Sequence, residues 1–107
     1  MNYKEIFERA NAAAEVLTLA ECGNNVMIYP CGFAWFYLDN MKGKRNPIGK
    51  ELEKLGLLGY SDYHKRYYHW EGKYNQSMQH KEAHCKFMAQ ILSEKTGLPF
   101  KYDSRMD

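Results

Sequence analysis

Six consecutive apolar residues, Phe33-Ala34-Trp35-Phe36-Tyr37-Leu38, constrain this chain more than any other feature. They follow the bend signal Pro30-Cys31-Gly32 and predict a strand that is apolar on both faces. Such a strand needs helices on one side and another cover on the other. A chain of 107 residues has little surface to spare for both tasks. A second subunit is one candidate cover, and we therefore expect a homo-oligomer.

The rest of the chain supplies the helices. Tyr3, Ile6, Phe7, Ala10, Ala13, Ala14, Leu17 and Ala20 recur at helical spacing, which predicts an amphipathic helix over 3–21. Asn2 stands as its N-cap with Glu5 three residues on, and Gly23 as its stop. Val26-Met27-Ile28-Tyr29 reads as a short strand. Asn46-Pro47 opens a second helix with Ile48, Leu52 and Leu55 on one face and Gly56 at its end. Residues 60–70 read as one alternating strand, with Tyr63, Lys65, Tyr67 and His69 on one face and His64, Arg66, Tyr68 and Trp70 on the other. A last helix runs from about Gln76 or Ser77 to Lys95, closed by Gly97 and Pro99. Phe100-Lys101-Tyr102 either adds an edge strand or docks. The sum is an α+β fold in one domain over 1–107: three helices packed on a small, mainly antiparallel sheet, in the order α-β-α-β-α.

Composition narrows the function. No apolar run reaches the ~18 residues that span a bilayer, and Met1-Asn2-Tyr3-Lys4-Glu5 lacks the order of a secretory signal. Cys22, Cys31 and Cys85 fit no disulfide framework or zinc ribbon, so a reduced cytoplasm is expected. A net charge of +2 argues against a dedicated nucleic-acid binder. Charge is uneven, however. Residues 1–41 hold two basic against five acidic side chains, whereas 42–73 hold eight against four. The same basic segment carries Tyr60, Tyr63, Tyr67, Tyr68 and Trp70. Cations with aromatics suit phosphates and stacked bases; an amphipathic strand covering a small core accounts for the same pattern.

Sites of chemistry are sparse. His80 and His84 share a helical face at metal-ligand spacing, but Lys81 stands where a zincin carries its glutamate, and no metal or other cofactor is expected. Cys31 lacks an identifiable catalytic histidine, and Glu51 and Glu53 point in different directions. The stronger signals are anion sites: Lys42, Gly43, Lys44 and Arg45 before the helix opened by Asn46, and Lys73 to Ser77 before the last helix. We expect a ligand pocket near Cys31, Gly32, Phe33 and Trp35, with Lys44, Arg45, Asn46, His64, Arg66, Tyr67, Trp70, Asn75, Gln76 and Ser77 contributing. No catalytic set is evident, which points to a binder rather than an enzyme.

Pro30-Cys31-Gly32-Phe33-Ala34-Trp35, a tyrosine-rich middle segment, then Asn75-Gln76-Ser77 and Lys81-Glu82-Ala83 opening a helix, together resemble a family of small phage-encoded proteins. The resemblance covers roughly residues 26–95. It implies a viral inhibitor of bacterial defence in the host cytoplasm, similar to the Lockin and Sequestin groups. Such a protein would sequester a nucleotide immune signal, an ADP-ribose derivative or a cyclic nucleotide, without catalysis. Three other classes stay open: an inhibitor that docks on a host defence enzyme, a nucleic-acid binder, and a phosphodiesterase-like enzyme using His64, His69, His80 or His84.

Overall fold

A computed structural model describes residues 1–23, 32–39, 43–71 and 78–106. Helix α1, Tyr3–Cys22, starts where Asn2 Oδ1 accepts the Glu5 N–H and stops at Gly23, whose φ of 84° disfavours any side chain. Strand β1 is Gly32–Leu38. Helix α2, Pro47–Lys54, is capped by Asn46 Oδ1, which accepts from the N–H groups of Ile48 and Gly49. Strands β2 (Gly59–Ser61) and β3 (Arg66–Glu71) follow, then α3 (Met78–Thr96) and β4 (Phe100–Met106). Among the described residues these form three helices and one antiparallel sheet in the order β2-β3-β1-β4.

The α+β class and the antiparallel sheet match expectation; the element order does not. The segment 60–70 is a hairpin, not one strand. Ser61 takes the N–H of His64 on its hydroxyl and that of Lys65 on its carbonyl, and Lys65 turns the chain at φ 58°. The local polarity of Ser61-Asp62 favours this turn over continued pairing. Residues 100–106 form a full strand, so the order is α-β-α-β-β-α-β. The expected strand at Val26–Tyr29 and most of the Pro30-Cys31-Gly32 bend lie outside the described residues.

Alternation divides the sheet. Ala34, Phe36 and Leu38 of β1, Tyr67 of β3 and Phe100 of β4 face α1 and α3 and make the core with Phe7, Met88 and Leu92. Phe7 sets its ring 6.4 Å from Phe36 and 6.0 Å from Phe100. Each such buried ring contributes about 1.5–3 kcal/mol through apolar burial. Ala10 and Ala14 on α1 are fully buried, and their small size brings α1 close to α3. Tyr67 is locked from both sides. Its hydroxyl donates to the Lys44 carbonyl at 2.9 Å, and a Cβ at Gly49 would meet its ring at 2.3 Å. No helix is long and apolar enough to cross a membrane, among the described residues.

Candidate ligand-binding face

The other residues of the same strands build the opposite face. Phe33, Trp35 and Tyr37 of β1 stand beside Tyr68 and Trp70 of β3 on one flank and Lys101, Asp103 and Arg105 of β4 on the other. Trp35 and Trp70 are direct cross-strand partners, with rings stacked at 5.5 Å and 2°. Phe33 lies 5.1 Å from Trp70, and Tyr68 meets Trp70 edge-on. The β2–β3 turn folds back over this face and sets the His64 ring 5.3 Å from Trp35. Arg66 lays its guanidinium over Tyr37 at 4.3 Å.

These contacts answer what covers the second side of β1. Trp35 is 6% and Tyr37 8% exposed, because His64, Arg66 and Trp70 of the same chain lie over them. A subunit is not needed for that purpose. Trp70, in contrast, is 45% exposed and Tyr63 at the turn 87%. An indole supported on one side and half open, with Arg66, Lys101 and Arg105 on the same face, can stack a planar ring and hold an anion. Lys101 is already paired with Asp39 at 2.8 Å, and that hydrogen bond holds its ammonium pKa above the ordinary lysine range. Lys101 is therefore the least available of the three cations.

The structure thus gathers Phe33, Trp35, His64, Arg66 and Trp70 on one face and places other expected ligand residues elsewhere. Tyr67 is buried in the core, 1% exposed, where burial pushes its phenol pKa up. Asn46 is committed to capping α2. Lys44 and Arg45 belong to the short 3-10 turn at Gly43–Arg45, and Lys44 sits over Tyr60, the strand partner of Tyr67. Gly32 is tight against Met78 and the Arg105 carbonyl, so its missing side chain serves packing. Cys31, Asn75, Gln76 and Ser77 lie outside the described residues. Lys101, Asp103 and Arg105 were not expected on this face; their period-2 alternation with Phe100, Tyr102 and Ser104 was the available signal.

A second polar cluster lies on the helix side. His84 is fully buried, its Nε2 2.9 Å from Asn11 Oδ1 and 3.4 Å from the Glu71 carboxylate. His80, also buried, reaches the Gly23 carbonyl at 2.9 Å, and Lys81 donates to the Gly32 carbonyl at 3.4 Å. These bonds tie α3 to α1, β1 and β3 and satisfy groups that would otherwise be costly to bury. Cys85, beside them, has its thiol pKa pushed well up by burial. Among the described residues no group of three or more His, Cys, Asp or Glu is set to hold a metal ion. Compared with known proteins, the chain matches no family model, no curated protein and no solved structure.

Proposed function

We propose that this chain binds a phosphate-bearing nucleotide on the outer face of its sheet and releases it unchanged. The observation that carries this reading is the half-open Trp70, stacked on Trp35 and sharing its face with Arg66 and Arg105. The base or adenine-like ring stacks on Trp70, and the guanidinium groups take the phosphates through charge-assisted hydrogen bonds. With the resemblance to small phage-encoded proteins, the ligand class is a nucleotide immune signal, an ADP-ribose derivative or a cyclic nucleotide. The role is then to withdraw that signal from a bacterial defence pathway in the host cytoplasm.

Incubation with a panel of such nucleotides, followed by chromatography before and after heating the protein, tests this. Uptake and recovery of intact ligand are expected. Recovery of an altered ligand would instead mean an enzyme. No uptake of any member overturns the proposal and favours a second reading, supported by the exposed Tyr63 and Trp70: aromatic anchors docking on a host defence enzyme.

A further inference from the structure

In an antiparallel ladder, alternate residues turn their N–H and C=O toward one neighbour, and the rest turn theirs away. Asp39 N–H donates to the Pro99 carbonyl at 2.8 Å, continuing the β1–β4 register by one pair. This bond fixes the alternation in β4. Lys101, Asp103 and Arg105 turn their backbone groups to β1; Phe100, Tyr102 and Ser104 turn theirs to the open edge. Side chains close both groups of Phe100 and the N–H of Ser104. Ser93 Oγ accepts from the Phe100 N–H at 3.0 Å and donates to its carbonyl at 3.1 Å. Asp103 Oδ1 accepts from the Ser104 N–H at 2.8 Å. The far edge of the sheet, the three-residue β2, is blunted in the same way by Glu53, which accepts from the Tyr60 N–H. Among the described residues, Tyr102 is the position on this edge where neither backbone group has a partner.

We propose that two copies of this chain pair edge to edge through β4, antiparallel about Tyr102. Pairing at that point lets Tyr102 exchange two hydrogen bonds with the partner's Tyr102, as a twofold axis requires. The same register sets Lys101, whose ammonium also holds Asp39, opposite the partner's Asp103, and Asp103 opposite the partner's Lys101, at the close positions where opposite charges attract. In this register Phe100 faces the partner's Ser104, and both keep their own side-chain caps, so the contact rests on the two bonds at Tyr102 and the flanking charges. Side-chain space agrees. Tyr102 is 40% exposed and borders a groove of about 450 Å³ between α3 and β4, lined by Lys86, Gln90, Ser93 and Phe100. The partner's Tyr102, directly opposite on the same side of the sheet, covers that groove.

Light scattering on the full chain at micromolar concentration is expected to return twice the mass of one chain. Tyr102→Pro removes an N–H that points outward and none that bonds β1, so it should stay folded by circular dichroism and be a monomer. Asp103→Lys and Lys101→Glu each place like charges opposite one another and should each be monomeric. Mixed together, those two variants restore opposite charges and should form a heterodimer in native mass spectrometry. A monomeric parent overturns the proposal, as does a folded Tyr102→Pro dimer. Should that variant not fold, the charge variants decide: failure to pair on mixing, or dimers of either one alone, overturns it equally.

Discussion

The indole rings of Trp35 and Trp70 lie parallel across two neighbouring strands, 5.5 Å apart and 2° from coplanar orientation, yet one is buried and the other half open. The pair therefore divides stability from binding. Trp35→Ala empties a packed position beneath His64 and should cost about 3–5 kcal/mol of stability. Trp70→Ala removes the exposed member. It should lower the melting temperature less than Trp35→Ala and weaken nucleotide capture by about ten- to a hundredfold, the equivalent of ~1–3 kcal/mol of stacking. Thermal melts and calorimetry on both variants check the division.

Arg66 and Arg45 supply a matched comparison. Arg66 stands on the outer face over Tyr37, whereas Arg45 belongs to the short turn whose Lys44 carbonyl is held by the core residue Tyr67. Arg66→Ala should weaken capture about tenfold or more, the size of one lost charge-assisted hydrogen bond. Arg66→Lys should not restore it fully, because a lysine lacks the planar two-point fork. Arg45→Ala should bind as the parent does. Titration of the three variants with one nucleotide measures this.

The His84–Glu71 pair predicts a different outcome. Both side chains are buried, and Asn11 shares the imidazole. Glu71→Ala takes one polar contact from the buried His84 and should cost about 1–3 kcal/mol, the usual penalty for removing one partner of a buried polar group. A denaturant titration should show a lower midpoint with an unchanged slope. Equal stability of parent and variant would mean that the pair adds nothing to the fold.

Much of this architecture was legible in the sequence because it is written locally. Asn2 with Glu5, Asn46 with Pro47 and the alanine stripe of α1 each announce their element within one or two turns of chain. The alternation that sends Arg66, Tyr68 and Trp70 to one side was legible too, since strand side chains alternate regardless of partner. The hairpin was not. A turn at 62–65 and a continuous strand have the same alternating pattern over 60–70, and the choice rests on Ser61 capping two N–H groups and Lys65 reaching positive φ. The fate of Tyr67 was equally hidden. Its place in the core is decided by Gly49, eighteen positions earlier in the chain, whose bare backbone makes room for the ring. The cations of β4 enter the outer face only through pairing with β1, a contact between distant segments.

Cys85 gives the fold an alkaline limit. Burial raises its thiol pKa in the folded chain above the ordinary value near 9. The folded state therefore holds its proton where the unfolded state releases it. Stability from this group is complete below pH ~8.5 and falls as pH rises beyond it, by at most about 1.4 kcal/mol per pH unit. Cys85→Ala should flatten that decline while costing some packing. Urea midpoints for parent and variant between pH 8 and pH 10 test this, and an equal slope in both contradicts it. The native thiol should also resist alkylation, since the thiolate is the reactive form.

The chain has two tryptophans, and both belong to the outer-face stack, so its intrinsic emission reports on that one place. Titrating the full chain with a panel of ADP-ribose derivatives and cyclic nucleotides while recording tryptophan fluorescence therefore tests the central claim most directly. A ligand that stacks on Trp70 should quench the emission in a saturable way, and Arg66→Ala should shift that curve about tenfold or more to higher concentration. A nucleotide that calorimetry shows to be bound while the emission stays unchanged would contradict the account.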